Sequence, residues 1–253
     1  MSTDREHGVT EAFVRLANGL VGDFDVIELL SGLTTECAEL LDIASAGLLL
    51  ADERGILHVV AASSEATRLL EVFQLQREQG PCLDCFRTGR PVSIGDLEEQ
   101  RSTWPQFVEV ATSAGFASVH AVPMRLQTNV LGTLGLFGSR SGALDDDDLE
   151  LAQALAHVAS IALVHGSAPP DPAAIGARFS STLRSRARLE QAKGLLSHVG
   201  ALDMDQAFGV LRGYARDHAV PLSQVTDGLV QRTLDARTVL ADGAGIRSDE
   251  PGR

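Results

Sequence analysis

Pro169, Pro170 and Pro172 fall within four consecutive positions. Neither a helix interior nor a central strand can run through such a cluster, because each proline fixes φ and removes a backbone donor. The run Gly166-Ser167-Ala168-Pro169-Pro170-Asp171-Pro172 is therefore predicted to be a linker. A chain of 253 residues is then expected to fold as two units, one on each side of it.

The hydrophobic patterns on the two sides differ. Ahead of the prolines, helical spacing is expected over Thr10–Val21 and Asp25–Leu41, with Asp25 as a cap. Ala46–Ala51 and Ile56–Ala62 read as a hairpin around Asp52-Glu53-Arg54-Gly55. Helices follow over Glu65–Leu75, from Pro81 to a stop at Gly89, and over Thr103–Ser113, with a short strand at Pro91–Ile94. Phe116–Leu126 and Val130–Ser139 form a second hairpin before a long helix, Asp145–Val164, whose run of acids suits a helix start. Strands meeting through hairpins, with helices packed on them, predict an α+β fold with an antiparallel sheet. Behind the prolines the pattern is wholly helical: Phe179–Val199, Asp203–Asp217 and Leu222–Leu234, with Asp203 and Gln206 spaced as a capping pair. The expected organisation is a first domain at 10–165, a linker at 166–175, a three-helix module at 176–237 and a disordered Gly- and Asp-rich tail at 238–253.

The net charge of −13 argues against a nucleic-acid partner for the chain as a whole. Its distribution argues otherwise: residues 1–175 carry −15, whereas residues 176–240 carry +3. Lys193 is the only lysine beside 20 arginines, so a local reason for it is expected. No stretch approaches the roughly 20 apolar residues of a membrane span, and no membrane partner is expected. The first residues lack an apolar signal core, and the three cysteines are too few for a disulfide framework, so a cytoplasmic protein is expected. No phosphate-cradling glycine loop or Ser/His/Asp arrangement is present, so no catalytic residue is assigned. Cys82 and Cys85 form a CxxC, but no second pair completes a metal site.

At 100° per residue Arg184 and Arg188 share one helix face, while Arg186 and Lys193 lie near the opposite one with Glu190 between them. Leu183, Ala187, Leu195 and Val199 are the expected apolar stripe of that helix. In the next helix Ala207, Phe208, Leu211 and Ala215 are expected to be core, with Arg212 and Arg216 at i, i+4 beside them. Gly194 inside a helix costs roughly 1 kcal/mol relative to alanine. Either a neighbouring helix approaches closely there or a ligand does.

The run Ser185-Arg186-x-x-x-x-Gln191-Ala192-Lys193-Gly194, followed by Ala207-Phe208-x-x-Leu211-Arg212-x-x-Ala215-Arg216, resembles the ANTAR domain. That family is a three-helix RNA-binding module of bacterial transcription antiterminators. The resemblance implies binding to nascent transcripts with paired hairpins, through Arg184, Arg186, Arg188, Gln191, Lys193, Gly194, Arg212 and Arg216. It departs from the family at Ser197, where methionine is usual, and at Val199, where a bulkier or basic residue is usual.

Three further motifs resemble a GAF domain of the kind fused to ANTAR in actinobacteria: Gly80-Pro81-Cys82-Leu83-Asp84, Trp104-Pro105-x-Phe107, and Ala121-Val122-Pro123-Met124 with Leu131-Gly132-x-Leu134. The resemblance implies a small-molecule or redox sensor with no assigned cofactor. Its effector pocket would be lined by Cys82, Trp104, Phe107 and His120, each of which also suits a simple core. The family usually has alanine where Cys85 stands. At a helix start the cysteine pair has a redox reading, because helix amides lower a thiol pKa; the other reading is two packed thiols.

Together these features predict a non-enzymatic, signal-responsive RNA-binding regulator that acts as a homodimer. Two other classes compete with it: a GAF-fold thiol enzyme or sensor using Cys82 and Cys85, and a DNA-binding helix–turn–helix regulator. The latter would have to read bases with little more than Gln224, Gln231 and Arg232.

Overall fold

The computed structural model describes residues 3–19, 25–142, 144–164 and 172–244. The chain divides into two compact units, Met1–Ser181 and Thr182–Arg253.

The first unit opens with α1 (Thr3–Gly19) and α2 (Val26–Leu40). Asp25 caps α2, its Oδ1 accepting from the amides of Ile27 at 3.0 Å and Glu28 at 3.3 Å. The strands β1 (Ser45–Ala51) and β2 (Leu57–Ala62) follow, then α3 (Glu65–Arg77), α4 (Pro81–Thr88), β3 (Val92–Ile94), α5 (Pro105–Ser113), β4 (Ser118–Leu126), β5 (Asn129–Gly138) and α6 (Asp146–Val164). A short 3₁₀ turn at Leu97–Gln100, not expected from the sequence, precedes α5. All pairings in the five-stranded sheet are antiparallel, in the order β2-β1-β5-β4-β3. The expected α+β architecture is what the chain adopts.

Both faces of the sheet are covered, which is why β1 is buried at every position instead of alternating. Gly47, Leu49 and Ala51 of β1, Val119 and Ala121 of β4, and Gly135 and Phe137 of β5 face α3, α4 and α5. The alternate residues, among them Leu48, Leu134, Leu136 and Met124, are fully buried on the other side. There α2 packs on β1 and β2, and α6 on β4 and β5. Asp145 caps α6, its Oδ1 accepting from the Asp148 amide at 2.8 Å, so the acid run serves that helix start.

The second unit is built on α7 (Pro172–Gly200), α8 (Met204–Asp217), α9 (Leu222–Val230) and α10 (Ala236–Ala244). The expected linker reached residue 175, yet the helix already begins at Pro172. Proline is tolerated in a first turn, where its missing N–H has no partner to lose; the rest of the linker lies outside the described residues. The capping box at Asp203 and Gln206 is present, with amide-to-side-chain distances of 2.7 and 3.1 Å. The expected third helix ends four residues early, and part of the expected disordered tail is helix α10. The turn is closed by the amides of Thr233 and Leu234, both on the Gly228 carbonyl at 2.9 and 3.0 Å. Beyond it Ala236 and Val239 are buried at i, i+3, and Leu240 lies where a Cβ on Gly200 would meet it at 2.7 Å.

The buried face of α7 also differs from the expected stripe. Thr182, Arg186, Leu189, Lys193 and Leu196 are buried, spaced four, three, four and three, together with Ala192. Ala187 is exposed, and so is Val199 at 41%. Placing charged residues outward by rule turned the helix the wrong way; the seam carries two cations because an acid on the same helix accompanies them.

One glycine fixes the closeness of two central strands. A Cβ on Gly132 of β5 would sit 2.0 Å from the Leu49 carbonyl oxygen of β1, a backbone atom that cannot swing aside. Gly132→Ala is expected to destabilise the first unit by about 3 kcal/mol, at the upper end of overpacking costs. Urea unfolding followed by circular dichroism checks it.

Candidate nucleic-acid interface and a buried polar cluster

In the second unit the seven basic and polar residues picked out by sequence, beside Gly194, separate into a buried pair and two exposed flanks. Arg186 and Lys193 are 8% and 5% exposed. Glu190 receives Arg186 Nη2 at 2.6 Å and Lys193 Nζ at 3.3 Å. Lys193 also lies 5.9 Å from the centre of the half-buried Phe208 ring, over which Arg212 sits at 5.7 Å. The lone lysine thus sits in the seam with its ammonium between Glu190 and the Phe208 ring.

Arg212 and the neighbouring Arg216 are exposed on the α8 flank. Arg184, Arg188 and Gln191 are exposed on the flank toward α9, where Arg188 Nη1 reaches Asp227 Oδ2 at 2.6 Å. Gly194 lies on the exposed ridge between the flanks, and a Cβ built on it meets nothing within 4 Å. Among the described residues nothing presses on that glycine. Of the two reasons expected for it, close packing by a neighbouring helix is absent, and the open backbone faces outward.

In the first unit, Cys82, Cys85, Trp104 and Phe107 belong to one cluster against the sheet. Two of the sequence motifs meet there: the Trp104 indole N–H donates to Asp84 Oδ2 at 3.0 Å, and the Trp104 and Phe107 rings stand edge-to-face. His120 does not join them. Successive β4 residues point to opposite faces, and Val119 and Ala121 take the cluster side. His120 instead pairs with Ser93, Oγ to Nδ1 at 2.7 Å, and burial holds its pKa below the usual histidine range.

Sequence reading missed the polar residues beneath this cluster. Glu71 and Gln74 of α3 are fully buried. Gln74 Nε2 donates to Glu71 Oε2 at 2.8 Å, and its Oε1 accepts the Cys82 amide at 3.2 Å, which caps α4. The Cys82 thiol donates to Glu71 Oε1 at 3.3 Å. Room for the carboxyl comes from two cross-strand glycines, Gly47 and Gly135: a Cβ on either would come within 3.0 Å of Glu71 Oε1. The signal was available as Thr67, Leu70, Glu71 and Gln74 at helical spacing, hidden by reading polar as exposed.

Burial raises the Glu71 pKa from the ordinary 4.5 to about 8, against a smaller lowering by the Cys82 hydrogen bond. Burial likewise pushes Cys85 up to about 12 and Cys82 well above its usual value, the latter with added repulsion from Glu71. Of the two readings of the pair, the burial of both thiols favours the packed one.

A family model of the GAF domain matches residues 25–164, and one of the ANTAR domain matches residues 177–230. The chain belongs to the GAF domain family, with an ANTAR domain following in its carboxy-terminal part. At family level this joins a sensor domain to a regulatory RNA-binding domain. Among solved structures, the GAF domain of a phosphoenolpyruvate-protein phosphotransferase from Acinetobacter is similar at 13% identity. It covers 68% of this chain and 99% of its own, with a TM-score of 0.50. The corresponding domain from Coxiella burnetii is 14% identical, covers 64% of this chain and 96% of its own, and has a TM-score of 0.51. Both likenesses speak to the fold alone. No curated protein is similar enough to count as a match. Among the described residues no helix is long and apolar enough to cross a membrane.

Two outcomes are expected. Glu71 takes up a proton on folding, so its own contribution to the stability of the first unit should be full below about pH 4.5, fall toward pH 8 and be lost above it. Glu71→Gln should flatten that slope, as read from urea midpoints across the range. The three buried thiols should react with a disulfide reagent at pH 8 only after denaturation; rapid native labelling of Cys82 or Cys85 would restore the redox reading.

Proposed function

We propose that this chain is a signal-responsive regulator that binds hairpin-containing nascent transcripts and controls their termination. The observation that carries this reading is Gly194. This glycine lies in the later part of a 29-residue helix, exposed and next in sequence to Lys193, with nothing among the described residues within 4 Å of a Cβ built on it, on a unit matched by the ANTAR domain. Its bare backbone lets a phosphate strand approach the helix surface. The exposed guanidinium groups of Arg184, Arg188, Arg212 and Arg216 supply charge-assisted contacts on either side. Unpaired loop bases are where sequence is read in RNA. Arg186 and Lys193, being buried, act on this surface from beneath by fixing α7 against Phe208.

The GAF domain is the input, with a small-molecule effector as its signal, and the regulator works as a homodimer that offers two such surfaces to two hairpins. No catalytic step is assigned to either unit. The buried, unactivated thiols weigh against the thiol-enzyme alternative, and the shortness of α9 weighs against a DNA-reading helix.

Electrophoretic mobility shifts with a two-hairpin RNA test the reading. Arg184→Ala with Arg212→Ala should weaken binding at least tenfold and lower the slope of log affinity against log salt by about two. Binding no tighter than to a scrambled RNA of the same length would refute it, and sedimentation of the complex should give two chains per RNA.

A further inference from the structure

On the α9 flank of α7 the second unit holds a recess of about 560 Å³, a size suited to a nucleotide-sized ligand. Its walls are apolar: Leu195 and Val199 from α7, Leu229 and Val230 from the end of α9, and Leu234 from the turn before α10. Its polar groups are Gln191, Asp235 and two arginines, Arg232 and Arg237. The recess is therefore greasy inside and carries a net positive charge among its lining residues.

Two features show that the recess is built into the turn. Arg232 has φ of +61°, a left-handed conformation in which a side chain is strained and glycine is comfortable. The turn around it is held rigidly by the Gly228 carbonyl, and a Cβ on Gly228 would press on Leu234 Cβ at 3.1 Å. Arg232 follows the C-cap of α9, one of six non-glycine residues with positive φ among the described residues, and it lies on the lining of the recess.

Arg184, Arg188, Gln191, Leu195 and Val199 follow one another at i, i+4, i+7, i+11 and i+15, so a single stripe of α7 leads from exposed cations into the recess. Over the eleven residues from Arg184 to Leu195 it runs about 16 Å. Gln191 stands on the ridge between this flank and Gly194, with both a donor and an acceptor to offer.

We propose that this recess receives one unpaired nucleobase of the bound RNA. The apolar walls cover the two faces of the base, Gln191 addresses its edge, and Arg232 and Arg237 hold the phosphates on either side. This rests on the RNA-binding reading above but adds a second, separate contact surface. The strand crosses the α7 ridge at Gly194, where no side chain obstructs it, and delivers the base to the opposite flank. A recess with apolar walls and two arginines to one aspartate suits a polyanion with flat aromatic groups better than the arginine-bearing face of a second copy of the chain.

The full-length protein and a two-hairpin RNA test it, together with the same RNA carrying abasic sites in its loops. Val199→Trp fills the recess from an exposed position. Arg232→Gly removes the guanidinium while relieving the backbone. Each is expected to lower affinity for the intact RNA about tenfold, the scale of one stacked base. Arg232→Gly should at the same time leave the melting temperature unchanged or raised, which a purely structural role would not produce. The abasic RNA should bind the wild type and Val199→Trp equally weakly.

If both variants bind intact RNA as the wild type does, while Arg184→Ala with Arg212→Ala weakens binding, the recess is not a base site and the RNA reading stands. If the wild type binds no hairpin RNA, both readings fall. A variant that shifts the sedimentation of the free protein and leaves RNA affinity unchanged would make the recess a protein interface and overturn the proposal.

Discussion

Glu190 holds Arg186 at 2.6 Å and Lys193 at 3.3 Å within a seam that is otherwise apolar. The packing of α7 against α8 is set around that group of three charges. Charges removed from water are tolerated only where partners and hydrogen bonds replace the lost solvation. Here the acid comes from the same helix, one turn from each cation, so the group is assembled as soon as the helix forms. Phe208 then covers Lys193 and carries Arg212 on its ring, which passes the arrangement of the seam to the surface. The GAF unit meets the same constraint by neutralising a group instead of pairing it. Burial raises the Glu71 pKa in a site shaped by Gly47 and Gly135, and its hydrogen bonds to Gln74 and Cys82 join α3 to the start of α4.

Glycines serve opposite ends in the two units. Gly47, Gly132 and Gly135 make room inside, for a carboxyl, a thiol and a neighbouring strand, and each would clash if it bore a side chain. Gly194 is open outside, where a Cβ would meet nothing within 4 Å among the described residues. The second kind costs helix stability without improving packing, and Gly32 of α2 and Gly209 of α8 share that open surrounding.

Much of this was legible in the residues. Asp25, Asp145 and the Asp203–Gln206 pair mark helix starts by chemistry that acts within four residues, and Gly89 ends α4 in a left-handed conformation as expected. The hairpins followed from apolar runs interrupted by turns. What failed were the readings that depend on a partner far away in sequence. Arg186, Lys193, Glu71 and Gln74 looked like surface residues because what makes their burial acceptable is an arrangement of several groups, and no single position announces it. His120 was placed in the wrong layer because the pleat sends alternate β4 residues to opposite faces. The recess beside Leu195 and Val199 depends on α10, a helix too short and too close to the end to stand out by its pattern.

The seam on α7 has a consequence for the chemistry of the whole surface. Lys193 is the chain's only lysine and it is inside, so every cationic side chain of fixed charge that meets solvent is a guanidinium. Such groups keep their charge throughout the physiological pH range, and they are not substrates for the acylation that neutralises lysine amines. The arginine charges of the second unit are thus constant with respect to both acidity and acetyl-type modification.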